Sequence, residues 1–219
     1  VELGSVKRSH VETVDGFRIG FLGLTTPGLP YWLNAKLLGG IEATDPAAAA
    51  GLALAELNSE KKPHAVVSIG HMGTKRGADD YANHVHNTIE SNEGIDVFIG
   101  GHTHRDYSSY YMGRTIYTQA NYWGIHLGRI DLTFSRSRDK LVDKRVFSVL
   151  TDRRFEEDPL VMELSKREIE ASEEELDREI GEWKVSLGGK YERGRPNGHE
   201  RLIAAAIAHS LVKEKAPID

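Results

Sequence analysis

Ile95-Asp96-Val97-Phe98-Ile99-Gly100-Gly101-His102-Thr103-His104 is the stretch that decides the fold. Its run of Val, Phe and Ile suits a buried strand. Two glycines close the run and allow a sharp turn with close approach of the backbone to a ligand. Two histidines follow, two residues apart. In extended chain, residues i and i+2 point the same way, so His102 and His104 are expected to face one cavity. Neutral imidazole is the commonest protein metal ligand. Ala65-Val66-Val67-Ser68-Ile69-Gly70-His71 repeats the design. If both runs are parallel strands of one α/β sheet, their histidines lie at its carboxyl edge, where open α/β sheets bind ligands. A lone histidine after a strand is more often solvated or packed in a core. The doubled Gly-His ending is what points to a metal.

Working outward, the pattern around these two runs is strand, helix, strand, helix, strand, which argues for a layered α/β domain. Val6 to Val14 alternates weakly as a short strand, Asp15-Gly16 is a hairpin signal, and Phe17 to Leu24 reads as a strand. Gly28 to Gly40 has no clear period and reads as loop. Thr44-Asp45-Pro46 opens a helix with a capping side chain and a proline in the first turn. The alanine-rich run behind it should carry that helix to about Lys61, with Pro63 ending it. Met72 to Ala78 is a loop and Asp79 to Asn92 a helix.

After His104 the pattern becomes an antiparallel meander, with strands at 107–111, 114–119, 127–134 and 142–150. It implies a mixed sheet or two packed sheets. A charged helix runs from Asp158 to about Glu182, solvated on most sides. Gly188 to Gly198 is linker, and Glu200 to Lys215 is a last helix with an apolar face.

A net charge of −5 argues against non-specific binding of nucleic-acid polymers through phosphates. Cysteine is absent, which excludes disulfides and thiolate metal sites. No apolar stretch is long enough to span a membrane, and no signal peptide is visible at the start of the sequence.

FRIGFLGLTTP, VVSIGHMG, IDVFIGGHTH and QANYWGIHLGRIDLTF occur in this order over about residues 6–155. Together they resemble the 5′-nucleotidase and 2′,3′-cyclic-nucleotide phosphodiesterase branch of the calcineurin-like metallophosphoesterases. The resemblance implies an α/β protein, part of a four-layer α/β/β/α sandwich with mixed sheets. It implies hydrolysis of nucleotide phosphate esters with two divalent ions, zinc, manganese or similar. His71 and His102 would bind one ion, and His104 sits where a ligand of the other is found. The family's first half carries Asp-x-His, Gly-Asp and Asn-His-Glu/Asp motifs, and none precedes residue 17 here. Asn83-His84 is followed by Val85 and lies in the wrong place. The expectation is therefore residues 1–155 as the second half of the catalytic domain, 156–182 as a linking helix, and 183–219 as the possible start of a C-terminal nucleotidase domain. The family places the parent protein in the cell envelope or outside the cell.

Two other readings are open: a mononuclear hydrolase with His71, His102 and His104 on one zinc, or a non-catalytic remnant that binds a partner. An unpaired sheet edge at Phe17 to Leu24 or a neighbouring strand would favour self-association or pairing with the missing half. Asn121, Tyr122 and His126 are candidates for substrate contact, because the family holds this region near the site. Asp106 reads as a turn cap before a ligand, Lys75 and Arg76 as solvated loop before phosphate contacts, and His84 and His86 as surface positions on a helix.

Overall fold

The computed structural model describes residues 6–75, 77–182, 188 and 196–213. The chain divides into two compact units after Glu156. The first unit is built on a six-stranded sheet, ordered β1-β2-β3-β4-β6-β5. Its strands are β1 (Ser9–Val14), β2 (Phe17–Thr25), β3 (Ala65–His71), β4 (Val97–Ile99), β5 (Asp106–Met112) and β6 (Thr115–Ala120). β2, β3, β4 and β6 are mutually parallel, while β1 and β5 pair antiparallel at the two edges. Phe17 to Leu24 is therefore paired on both sides, and the edges fall on β1 and β5.

Strand alternation divides the sheet's side chains between two faces. Leu22, Val66, Phe98 and Tyr117 point to one face and form a core with Ala50, Ala53, Leu54, Leu57, Val85 and Ile89. Those partners come from α3 (Pro46–Glu56), the π turn Leu57–Lys61 and α4 (Val85–Glu90). On the other face lies a two-stranded ribbon of β7 (His126–Ser135) and β8 (Lys140–Leu150). Phe134 stacks on Phe17 with ring centres 4.7 Å apart. Lys144 Nζ donates to the carbonyls of Asp96 and Arg114 at 2.9 and 2.6 Å. Burial lowers the pKa of that ammonium, against the opposing pull of Asp96. The meander thus serves both arrangements: β5–β6 joins the main sheet and β7–β8 packs on it.

Local chemistry explains where the elements depart from the sequence reading. Residues 28–40 hold two short helices, α1 (Leu29–Trp32) and α2 (Ala35–Leu38), the second capped by Asn34 and closed by left-handed Gly39. The helix begun at Pro46 loosens into a π turn and stops at left-handed Lys62. The helix expected from Asp79 starts only at Val85. Asp79 stays outside it and caps it from a distance, accepting from the His86 and Asn87 N–H groups at 2.9 and 2.8 Å. Asp80 and Asn83 bridge to each other in the turn between.

The second unit contains α5 (Pro159–Asp177) and α6 (Gly198–Lys213). Asp158 caps α5, which buries no residue. It ends at Asp177 rather than Glu182. A reciprocal pair of hydrogen bonds between Asn197 and Glu200 opens α6. Arg76 and most of the Gly188 to Gly198 linker lie outside the described residues. No described helix is long and apolar enough to cross a membrane.

Candidate metal centre

Four segments meet at the carboxyl edge of the parallel strands: the chain after Thr25, after His71, after Ile99 and after Ala120. His71 ends β3, and His102 follows β4 by three residues. Their rings stand 5.3 Å apart between centres. The His104 ring lies 5.3 Å from that of Tyr122. The expectation that His102 and His104 share a direction rests on extended chain, and the backbone here departs from it. Both lie at positive φ, +68° and +53°, so the chain between them is not extended and alternation does not apply. Among the described residues no group of three or more His, Asp or Glu is arranged to hold a metal. A ready-made three-histidine site is therefore not present.

The His102 loop is held from below. Gln119 is buried in β6, and hydrogen-bond complementarity sets its amide orientation. Its oxygen accepts from the N–H groups of His104 and Arg105 at 2.9 and 2.8 Å, and its nitrogen donates to the Gly101 carbonyl at 3.2 Å and the Tyr117 hydroxyl at 2.7 Å. Burial raises the pKa of that phenol well above the ordinary tyrosine value, with the neighbouring Tyr107 adding to it, so it stays a neutral hydrogen-bonding group. A Cβ on Gly73 would lie 2.6 Å from the Gly101 carbonyl oxygen, so only glycine allows the His71 loop to approach this closely. The Gly73 N–H in turn donates to Asn83 Oδ1 at 2.8 Å. Sequence reasoning missed Gln119 and Asn83. For Gln119 the available signal was an amide in a strand with strong β formers on either side, Thr115–Ala120, since buried amides need partners.

The remaining candidates separate. His126 lies 3.4 Å from the Asn121 side chain and 3.9 Å from Asp106. Asn121 and Tyr122 form the turn after β6, with Asn121 at φ +64°. Asp106 begins β5 and accepts from the Ser148 hydroxyl at 2.6 Å, so it joins the ribbon to the sheet instead of capping a turn. Lys75 pairs with Ala78 in a tight turn. His84 and His86 are half-buried, not surface residues: His86 Nε2 is 2.9 Å from the Thr74 hydroxyl, and His84 Nδ1 is 3.6 Å from Asp45.

The pair itself fits a cation. With a metal about 2.1 Å from each ring nitrogen and a near-tetrahedral angle, two imidazole centres lie roughly 5 Å apart, close to the separation of His71 and His102. Burial lowers the pKa of His102, and the nearby His71, Lys75 and His104 lower it further against Asp80. Neutral imidazole is the form that binds metal. The pair supplies two neutral ligands and no charge to offset a dication.

No family model matches the chain. Relatives emerge from direct comparison. The chain is 24% identical to the 5′-nucleotidase of Vibrio cholerae over 170 residues, which is 67% of this chain and 31% of that protein. It is 28% identical over 191 residues to the trifunctional nucleotide phosphoesterase YfkN of Bacillus subtilis, covering 83% of this chain and 12% of YfkN. The crystal structure of YfkN, described as a calcineurin-like phosphoesterase, matches with a TM-score of 0.66 at 19% identity, over 78% of this chain and 59% of that structure. The fold is that of the calcineurin-like phosphoesterases. The 5′-nucleotidase precursor of Thermus thermophilus matches it further, with a TM-score of 0.68 at 22% identity over 95% of this chain and 43% of that structure. The chain spans a third or less of these two curated relatives. Within the calcineurin-like fold, one imidazole closes β3 and the other lies in the turn after the neighbouring parallel strand β4.

Proposed function

We propose that residues 1–155 supply the second half of a metal-dependent phosphoesterase site that hydrolyses phosphate esters of nucleotides. The observation that carries this reading is the ring pair of His71 and His102, 5.3 Å apart at the ends of two neighbouring parallel strands. The names of the relatives, 5′-nucleotidase and nucleotide phosphoesterase, supply the substrate class. His71 and His102 would hold one divalent ion, and His104, beside Tyr122, would serve a second. Bound divalent ions lower the pKa of water and stabilise charge on the attacking and leaving oxygens. This chain's part is to present neutral imidazoles from a braced loop. Gln119 and Gly73 position them, and Asn121, Tyr122 and His126 line the approach for substrate. The carboxylate that bridges two cations would come from outside residues 1–155, from the family's first half. In this reading, residues 156–182 form the linking helix, 183–219 open a C-terminal nucleotidase domain, and the whole protein works in the cell envelope or outside the cell.

The test is metal binding followed by turnover. Calorimetry with zinc and manganese should show binding by the chain that disappears in His71→Ala and in His102→Ala. Turnover of bis-p-nitrophenyl phosphate by the chain alone should be weak or absent. Zinc or manganese uptake that survives loss of both histidines would overturn the reading. Robust turnover lost in His102→Ala would overturn the need for a second half. A partner-binding remnant would take up no metal at these residues. Light scattering over a dilution series should then show association.

A further inference from the structure

β5 lies at one end of the six-stranded sheet and pairs only with β6. Met112 and Thr115 face each other across the two-residue turn Gly113-Arg114. Residues flanking such a turn exchange hydrogen bonds, and bonded and non-bonded pairs alternate along an antiparallel ladder. Tyr111 therefore points its N–H and C=O outward, away from β6. Natural edges are commonly guarded by lysine, proline or a bulge. Asp106–Met112 holds no lysine or proline, and its bulge comes before Tyr110, so Tyr110 to Met112 pairs regularly. Beside this edge, β5 and α4 with the turn behind it enclose a cleft of about 490 Å³, lined among others by Ile89, Glu90, Glu93, Tyr110 and Arg114. Both walls are fixed. Buried Asn92 donates to the Ala47 and Thr88 carbonyls at 3.0 and 2.8 Å, and the Thr115 hydroxyl donates to the Ile95 carbonyl at 2.7 Å. Arg114 is engaged by Asp96 at 3.5 Å. Glu90 and Glu93 are exposed and enter no ion pair among the described residues.

We propose that this cleft binds an extended basic peptide segment of a partner protein, added as a strand beside β5. Strand addition takes its affinity from backbone hydrogen bonds and its selectivity from pockets that receive alternate side chains. Tyr111 supplies the free backbone groups, and the cleft supplies the pocket. The two uncommitted carboxylates select lysine or arginine, whose stems cover Ile89 while their charged heads stay at the rim. The Tyr110 ring adds a face for the cation. A second copy is the poorer occupant, because its own β5 brings Asp106 and no basic residue. None of the residues proposed for the metal centre lines this cleft, so the surface is a site of its own.

The experiment uses the full chain and two labelled synthetic peptides of alternating residues, one of lysine and threonine, the other of glutamate and threonine. Fluorescence anisotropy reads binding, and NMR reads hydrogen exchange. The lysine peptide should bind and slow exchange of the Tyr111 N–H, and the glutamate peptide should do neither. The double variant Glu90→Gln/Glu93→Gln should weaken the lysine peptide about tenfold, the worth of two exposed ion pairs. Glu173→Gln/Glu174→Gln, which makes the same change in net charge on α5, should leave it unchanged. Equal binding of the two peptides, or no binding of the lysine peptide, overturns the proposal. Equal weakening by the two double variants overturns it by showing bulk charge alone. Binding without protection of Tyr111 overturns it by placing the peptide elsewhere. Protection of Tyr111 that grows with protein concentration in the absence of peptide overturns it in favour of a second copy.

Discussion

Of the four segments at the carboxyl edge of the sheet, the turns after β4 and β6 are built differently. The turn after β4 carries His102 and His104 at positive φ, and neighbours determine its shape: Gln119 takes two of its N–H groups, and Gly73 lies under the Gly101 carbonyl. The turn after β6 also uses positive φ, at Asn121, Trp123 and Gly124. There, Gly124 has nothing within 4 Å of an added Cβ, and Trp123 stands in solvent. Unfavourable backbone persists only where surroundings over-determine it or where it costs little. The first turn is of the former kind and can hold ligands in register. The second is held by backbone hydrogen bonds, from Asn121 N–H to the Arg105 carbonyl and from Thr151 N–H to the Ile125 carbonyl, with Gly124 itself free of close side-chain contact.

The largest break in this comparison should come from matched glycine substitutions. Gly73→Ala must displace the Gly101 backbone and should cost about 3 kcal/mol in urea unfolding. Gly124→Ala pays only for a left-handed alanine, about 1 kcal/mol. Equal losses would mean that the two turns are equally braced. Metal affinity comes next. His102→Ala should weaken zinc binding at least 100-fold, because it removes one of two ligands, whereas His104→Ala should weaken it about tenfold, in the range of a supporting group. Calorimetry decides, and an equal loss would place all three imidazoles on one ion. Gln119→Leu should lose about 2 kcal/mol, since it leaves the His104 and Arg105 N–H groups and the Tyr117 hydroxyl without their partner. Hydrogen exchange at His104 and Arg105 should quicken while that at Ile125 does not; unchanged exchange would remove Gln119 from the brace.

The smallest effect is the pH response. The metal-free pKa of His102 lies below the ordinary histidine value, burial being the leading cause. The folded state therefore prefers the neutral ring. Its contribution to stability is complete above about pH 6.5 and is lost as pH falls through the lowered folded value. An NMR titration should give His102 a midpoint below that of a model histidine. A midpoint above it would mean that Asp80 outweighs burial.

Short-range pattern was enough to read the strands. Apolar runs ending at His71 and Ile99, the hairpin signal at Asp15-Gly16 and the capped helix start at Asp45-Pro46 are local, since each depends on neighbours in the chain. The same local signals located both Gly-His endings. Side-chain direction in the Gly-Gly-His-Thr-His turn was not legible, because left-handed φ at His102 and His104 is held by Gln119, well along the sequence. Gln119 itself looked like an ordinary strand residue until its buried amide was seen to meet that loop. Asp79 was misread for the same reason, as a helix residue when it caps the helix from seven residues away.

By itself, then, the sequence determined which segments are strands, that they alternate with helices, and that two of them are followed or closed by a Gly-His pair. Only the tertiary structure decided that His71 and His102 face each other and that His104 lies beside Tyr122. Periodicity records which face of an element is buried. The aim of a side chain in a turn depends instead on hydrogen bonds and close contacts from residues far away in sequence, and these exist only once the sheet has formed.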